Sequence, residues 1–137
     1  MDPKLGKYHR TYCETCKKNI TGNPPVKRCN TCDSKNITMG VLDRIELIKD
    51  KNESISPKNR QKYIYQIPLS FIPGIGQRTI NKLLENFGTE MNIIHNVSYE
   101  QLEKVVGSST AKNIENARSG NVTIQSGGGG VYGKINT

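Results

Sequence analysis

The sequence has few long apolar stretches. Apolar residues make up 34% of its 137 positions and the mean hydropathy is −0.62. No segment therefore approaches the roughly 20 apolar residues that a membrane helix needs. The first residues, Met-Asp-Pro-Lys-Leu-Gly-Lys, have no apolar core of the kind found in a signal peptide. We expect a cytoplasmic protein with no membrane partner.

Histidine is also scarce, because His9 and His95 are the only two in the chain. Two isolated histidines offer no cluster for a catalytic metal pair. Nor does any nucleophile stand in a recognisable pattern with a general base. The sequence therefore predicts a chain that is not catalytic alone and has no small-molecule substrate.

Positive charge is in excess. The chain has 20 lysines and arginines against 12 aspartates and glutamates, a formal charge of +8. A basic surface attracts nucleic acid or anionic lipid over long range. The alternative interpretation is that the positive charge only keeps the protein soluble and marks no binding partner.

Four cysteines form two Cys-x-x-Cys pairs, Cys13 with Cys16 and Cys29 with Cys32. Two such turns facing each other make a tetrahedral pocket of four thiolates, which selects zinc or, less often, iron. Two disulfides are disfavoured without a secretory signal. A thioredoxin-like redox pair needs a strand–helix context that neither pair has. We predict a structural Zn²⁺ held by all four cysteines, in a module too small to fold without its metal.

The residues around the cysteines predict an antiparallel zinc ribbon, with strands at 26–28 and 37–42. Val41, Ile45 and Ile48 follow at i, i+4 and i+7, which predicts a short helix closing the ribbon. Asp43 is expected on the solvated side of that helix.

A hairpin and an amphipathic helix are predicted between Leu69 and Gly88. The helix has one apolar stripe at the helical period, formed by Ile80, Leu83, Leu84 and Phe87. Before it stands Pro73-Gly-Ile-Gly76, whose glycines allow a tight bend that presents unpaired N–H groups at a helix start. Such a start attracts anions. The pattern resembles the helix-hairpin-helix motif, which binds nucleic-acid phosphate without reading bases; a plain αα-hairpin is the alternative.

A fainter copy of this pattern lies 31 residues further along, around Gly107, after a capping box at Ser98–Gln101. The second copy is expected to be a weaker phosphate contact or only a packing partner. The predicted DNA contacts are Gly74, Ile75, Gly76, Gln77, Arg78, Thr79 and Lys82 in the first hairpin and Gly107, Ser108, Ser109, Thr110 and Lys112 in the second.

The predicted fold class is α+β, a small antiparallel zinc ribbon followed by an all-α tandem helix-hairpin-helix domain. We place the ribbon and its closing helix at 1–50, a linker at 51–62, the helical domain at 63–120, and a short strand with a glycine-rich tail at 121–137. The glycine run 127–130 is expected to be flexible, or else a strip in close contact with another domain.

The order of these motifs resembles the C-terminal part of the endonuclease Q family of DNA-repair enzymes. The resemblance runs from about Lys4 to Ile135 and includes Gly40-Val-Leu-Asp-Arg44, Phe71-Ile-Pro-Gly-Ile-Gly76 and Gly127-Gly-Gly-Gly-Val-Tyr-Gly-Lys134. It implies that the four cysteines are zinc ligands and that residues after about 63 form a helical domain. Members of that family nick DNA beside deaminated bases, using an N-terminal metal-dependent phosphoesterase domain.

That catalytic domain has no counterpart in these residues. We therefore expect a truncated or excised accessory region whose function is sequence-independent binding of the DNA backbone. The alternative is a docking module for a separate or missing catalytic domain.

Overall fold

The computed structural model describes residues 1–61, 63–64 and 66–136. They fold as two compact units. The first, here called the cysteine unit, comprises Pro3–Ile64 and Gln125–Lys134. The second, the helical unit, comprises Met1–Asp2, Tyr65–Ile124 and Ile135–Thr137. A small antiparallel sheet and several helices confirm the predicted α+β class. Within the described ranges, no helix is both long and apolar enough to span a bilayer.

The cysteine unit is built on a three-stranded antiparallel sheet in the order β2-β1-β3. Strand β1 is Tyr12–Cys13, β2 is Lys18–Asn19 and β3 is Ile37–Thr38; helix α1, Val41–Ile48, follows. Cys13 lies opposite Lys18 on one side and Ile37 on the other. A small apolar core of the cysteine unit consists of the buried residues Cys13, Ile20 and Cys29. The partly buried Cys16, Val26 and Ile37 pack against it.

Helix α1 is held to the sheet by a buried carboxylate. Asp43 is fully buried, and its two oxygens accept hydrogen bonds from the backbone amides of Thr11 (3.2 Å) and Val26 (2.8 Å). Because the Val26 amide is bonded to Asp43, the predicted strand at 26–28 does not form; Lys18–Asn19 pairs with β1 instead. Gly40 precedes the helix at a point where a Cβ would lie 2.3 Å from the carbonyl carbon of Arg10.

The apolar stripe of α1 therefore faces away from the sheet. Val41, Ile45 and Ile48 are 55%, 52% and 62% exposed. The prediction of a solvated Asp43 was wrong. The two backbone amides and the guanidinium of Arg10, whose Nε lies 3.5 Å from Asp43 Oδ2, hold the carboxylate against the sheet and leave the three aliphatic side chains outside.

The helical unit contains α2 (Gln77–Phe87), α3 (Glu90–His95), α4 (Tyr99–Val106) and α5 (Ser108–Ser119), after a 3-10 turn at Leu69–Phe71. Fully buried side chains from each element form its core, namely Leu69, Leu83, Ile93, Leu102 and Ile114. The predicted capping box opens α4, with reciprocal hydrogen bonds between Ser98 and Gln101. The guanidinium of Arg118 donates to the carbonyl of Ile93 and so joins α5 to α3.

The glycine-rich segment near the C-terminus is packed rather than a free tail. It connects β4 (Thr123–Gln125) to β5 (Lys134–Asn136), which pair with each other. Within the cysteine unit, the Gly127 amide donates to the carbonyl of Lys4 (2.9 Å) and the Gly127 carbonyl accepts from the amide of Arg10 (3.0 Å). A Cβ at Gly127 would lie 2.3 Å from the Gly6 carbonyl oxygen, so glycine permits this approach. The boundary predicted at 121 therefore differs from the observed division, which begins at Gln125.

Candidate metal site and nucleic-acid interface

The four cysteines converge on one point of the cysteine unit. Their sulfur atoms all lie within 4.8 Å of one another, with Cys13 Sγ 3.7 Å from Cys32 Sγ and Cys16 Sγ 3.9 Å from Cys29 Sγ. A tetrahedral ion with metal–sulfur bonds of about 2.3 Å would space its sulfurs by about 3.8 Å. The spacing fits four thiolates around one metal ion.

Local backbone geometry orients these sulfurs. The Cys16 amide donates to Cys13 Sγ (3.3 Å) and the Thr31 amide donates to Cys29 Sγ (3.4 Å), as expected for two Cys-x-x-Cys turns. Cys13 and Cys29 are buried, whereas Cys32 is exposed. The site therefore lies at the edge of its small core, with one ligand on the surface.

Without a cation among them, the pKa values of Cys16 and Cys29 conflict, because the first thiol resists ionisation and the second ionises readily. Hydrogen bonds from the backbone amides of Cys32 and Thr31 lower the pKa of Cys29 to about 6. Sharing of hydrogen bonds with the Cys32 sulfur, together with burial, raises the pKa of Cys16 to about 12. A bound divalent cation would remove this conflict, because a coordinating thiol is deprotonated outright. The donor set is thus chemically suited to a metal ion.

The first hairpin presents the start of α2 to solvent. Gly74 (φ +80°) and Gly76 are both exposed, and among the described residues no side chain caps the helix at Gly76. Ile75 differs from its neighbours, because its side chain is buried and its amide donates to the Ile72 carbonyl (3.1 Å). The backbone amide of Ile75 is therefore already hydrogen-bonded and cannot donate to a phosphate. Any phosphate donors in this hairpin must be amides of the residues around Ile75.

The second hairpin is a single glycine. Gly107 (φ +83°) ends α4, where its amide donates to the Glu103 carbonyl (2.8 Å), and directly precedes α5. The start of α5 is likewise without a side-chain cap in the described part of the chain. By contrast, Thr89 caps α3 and Ser98 caps α4. Among the described α-helices of the helical unit, α2 and α5, which the sequence assigned to phosphate binding, are thus the two whose starts no side chain caps; α1 of the cysteine unit also lacks a side-chain cap, at Gly40.

Residues of both hairpins line one groove in the surface of the helical unit, which we call the hairpin groove. Its volume is about 420 Å³. Its lining is Arg78, Thr79 and Lys82 from α2, Val105 and Val106 from α4, and Gly107 and Thr110 from the second hairpin. The structure therefore brings together five of the twelve predicted DNA contacts.

The other seven predicted contacts do not line the groove: Gly74, Ile75, Gly76, Gln77, Ser108, Ser109 and Lys112. Gln77 instead donates a side-chain hydrogen bond to Asn81 (2.9 Å). Val105 and Val106 also line the groove but were not among the predicted contacts. Nor was Asn113, whose side-chain amide donates to the Pro73 carbonyl (3.1 Å). No local pattern identifies Asn113, since its partner lies 40 residues away.

The positive charge of the helical unit is local rather than general. Residues 66–124 contain five basic and five acidic side chains, so they carry no net formal charge. Arg78 and Lys82, both exposed, nevertheless lie in the groove together, and no acidic residue is among those lining it. An anion in this groove would meet two cations and the positive ends of two helices.

Comparison with known proteins places this chain beside a class of DNA-lesion endonucleases. No protein-family model matches it. The chain is similar to the lesion-specific endonuclease PfuEndoQ from Pyrococcus furiosus, with a TM-score of 0.74 and 32% identity over 98% of this chain and 36% of that one. It is also similar to endonuclease Q in complex with a 27-mer duplex substrate bearing an abasic lesion at the active site, with a TM-score of 0.77, 33% identity and the same coverage. The resemblance to endonuclease Q is confirmed.

Two curated proteins are also similar over 98% of this chain. Uncharacterized protein YqxK of Bacillus subtilis (strain 168) is 44% identical over 138 residues, which cover 34% of that protein. Uncharacterized protein MJ0043 of Methanocaldococcus jannaschii is 34% identical over 148 residues, 18% of its length. The chain thus spans about a third or less of each relative.

Proposed function

We propose that this chain is a sequence-independent DNA-binding region of a DNA-repair endonuclease-like protein, and that it is not catalytic by itself. The observation that carries the proposal is the hairpin groove. Two cations, Arg78 and Lys82, line it together with Thr79 and Thr110 from the first turns of two helices without side-chain caps, on a fold similar to that of endonuclease Q in complex with a duplex substrate.

The groove chemistry suits phosphate better than bases. Backbone amides at a helix start are a ready anion site, and Arg78 and Lys82 add charge within reach of the same anion. Thr79 and Thr110 contribute hydroxyl donors from the first turns of α2 and α5. Contacts of these kinds position DNA without carrying sequence information. Duplex DNA of any sequence should bind equally well.

The cysteine cluster has an architectural role in this proposal. Cys13, Cys16, Cys29 and Cys32 hold Zn²⁺, which would offset half of the charge of the four thiolates and join β1 to the loop around residues 29–32. Four cysteine ligands leave no coordination position for water or substrate, so the metal supplies folding energy rather than reactivity. An iron centre of the same geometry is the alternative.

Catalysis in such a protein would belong to residues beyond this region. The solved endonuclease Q chains extend well past the part that this chain matches. The family resemblance suggests that the partner region is a metal-dependent phosphoesterase domain. This chain alone should leave uracil- or hypoxanthine-containing DNA intact with Mg²⁺ or Mn²⁺; metal-dependent nicking by the purified chain would contradict the proposal.

The decisive experiment is binding to two unrelated duplexes of equal length across a salt series. We expect equal affinities and a fall with rising salt. Substituting both Arg78→Gln and Lys82→Gln should reduce the salt slope by about two. The matched control is Arg44→Gln, an exposed arginine on the cysteine unit. Affinity that is insensitive to salt, or equal loss in the control, would refute the groove as the DNA site.

A second candidate function is docking onto a catalytic domain. It is favoured by the exposed stripe of Val41, Ile45 and Ile48 on α1, because apolar faces of this kind commonly mark protein interfaces. The test is to replace Ile45 with Asp in the full-length B. subtilis relative at the matching position. Looser packing between its regions, measured as faster proteolysis between them, would support docking; unchanged proteolysis would exclude it.

A further inference from the structure

The cysteine unit has a second surface with the character of a nucleic-acid site. Tyr8 and Tyr132 are 52% and 48% exposed. The ammonium of Lys7 lies 4.7 Å from the centroid of the Tyr132 ring. Lys134 is exposed two residues further along. We call these four residues the tyrosine patch.

The fold assembles this patch from the two ends of the chain. The glycine-rich segment is bonded along the N-terminal residues, with the Gly130 amide donating to the Lys7 carbonyl (3.2 Å) and the Gly133 amide donating to the Leu5 carbonyl (3.0 Å). At Gly130 a Cβ would come within 3.6 Å of the Tyr8 hydroxyl. Tyr8 and Tyr132 therefore belong to two backbone segments that are hydrogen-bonded to each other, and neither lies on a free chain end.

A cavity of about 210 Å³ adjoins the patch. The residues lining it include Gly127, Gly128 and Gly133 together with Asn19, Tyr132 and Lys134. None of the residues lining it is acidic. The Asn19 side-chain amide donates to the carbonyl of Ser126 (3.0 Å), which fixes one wall. This space is well above the roughly 15 Å³ that one water molecule needs on the same measure.

We propose that the tyrosine patch binds an unpaired nucleotide of a DNA strand. A base stacks on the face of Tyr132 or Tyr8, and Lys7 and Lys134 pair with the adjoining phosphates. Exposed aromatic rings beside lysines are the arrangement by which proteins hold single strands without reading sequence. The site is separate from the hairpin groove and goes beyond the duplex binding proposed above.

The test compares two ligands that differ only in their bases. The metal-loaded full chain is titrated with a fluorescent 12-nucleotide oligothymidine and with a 12-unit abasic strand of identical phosphates. Stacking should make oligothymidine bind about tenfold more tightly. Equal affinities would overturn the proposal, since phosphate contacts alone would then explain binding. Tighter binding to phosphatidylserine vesicles than to oligothymidine would also overturn it.

Variants locate the effect. Replacing Tyr8 and Tyr132 together with Leu should abolish the preference for bases, whereas replacing both with Phe should keep it. Tyr99→Leu, on α4 of the helical unit, is the matched control and should leave the preference unchanged. Gly76→Asp should weaken duplex binding but leave the preference for oligothymidine over the abasic strand unchanged. The experiment can therefore contradict the tyrosine patch and the hairpin groove separately.

A measurement on the unmodified chain covers the case in which the double Leu variant fails to fold. Oligothymidine carrying 5-iododeoxyuridine is photo-crosslinked to the protein, and the linked peptide is identified by mass spectrometry. Attachment at Tyr8 or Tyr132 supports the proposal. Attachment only elsewhere overturns it.

Discussion

The side-chain amide of Asn113 on α5 donates a 3.1 Å hydrogen bond to the carbonyl of Pro73, in the bend before α2. This one contact joins the two hairpins whose residues line the hairpin groove. Both partners are half-buried, so the bond is shielded from water on at least one side. The groove therefore depends on a residue that does not itself line it.

Replacing Asn113 with Asp should loosen that junction. The change keeps the side-chain shape but puts an acceptor opposite a carbonyl, which should cost about 1–3 kcal/mol in unfolding free energy. Duplex affinity should fall as well, because the two helix starts would no longer be held together. Urea unfolding and fluorescence anisotropy measure the two effects. The control is Asn116→Asp, which adds the same charge to the same helix; an equal effect there would rule out the hydrogen bond as the cause.

Gly76→Asp should separate stability from DNA binding. Gly76 has φ −92° and ψ 175°, ordinary values for a capping residue, and a Cβ there would meet no heavy atom within 4 Å. Aspartate can therefore cap α2 without strain and complement the helix dipole, so stability should hold or rise by about 0.5 kcal/mol. Duplex affinity should fall about tenfold or more, because the carboxylate occupies the donors meant for phosphate.

Thermal unfolding and duplex anisotropy on the same sample test this prediction. Thr89→Asp, at the capping position of α3, introduces the same charge away from the hairpin groove and should bind DNA normally. Full duplex affinity in Gly76→Asp would show that the α2 amides are not phosphate donors. The same change at Gly74 or Gly107 would be less informative, since both have positive φ.

Asp43 should make the cysteine unit sensitive to acid. Burial raises the pKa of this carboxyl, but the hydrogen bonds from Thr11 and Val26 and the nearby Arg10 together lower it below its usual value. A lowered folded-state pKa means that the stabilisation is present above the unfolded value of about 3.9 and is lost as pH falls through the folded pKa.

The comparison is Asp43→Asn against the wild type, by urea unfolding between pH 7 and pH 3. At pH 7 the substitution should cost roughly 3 kcal/mol, because it leaves Arg10 without its buried partner. The difference between the two proteins should shrink toward pH 3. A difference that stays constant with pH would show that the carboxylate charge does not matter. Metal content is measured at each pH, and only pH values at which both proteins keep their metal enter the comparison, because metal loss would itself unfold the cysteine unit.

Removing the metal should unfold the cysteine unit and spare the helical unit. The first has a very small core built around its own ligands, whereas the second buries at least one large side chain from each of its helices. A strong chelator, or Cys29→Ser, should therefore collapse amide NMR dispersion for residues 3–61 while most helical circular dichroism remains. Elemental analysis should give one zinc per chain. A coloured sample that contains iron would change the assigned metal from zinc to iron. If the amide NMR signals of residues 3–61 stay dispersed after all metal is removed, the metal has no structural role.

Local sequence was sufficient for the cysteine cluster, the capping box at Ser98, the stripe of α2 and the glycine bend before it. The capping box, the stripe and the bend are each encoded by residues within one or two turns of one another, and the cysteine cluster is encoded by two short Cys-x-x-Cys pairs whose spacing indicates a four-thiolate site. The orientation of α1, the packing of the glycine-rich segment against residues 4–10 and the meeting of two hairpins in one groove were decided only by tertiary structure. The reason is that they rest on hydrogen bonds between distant residues: Asp43 with Thr11, Gly127 with Lys4, Asn113 with Pro73. Hydrogen bonds between residues far apart in sequence produce no periodic pattern in the sequence. A close approach between two backbone segments can be recognised only from the three-dimensional positions of both.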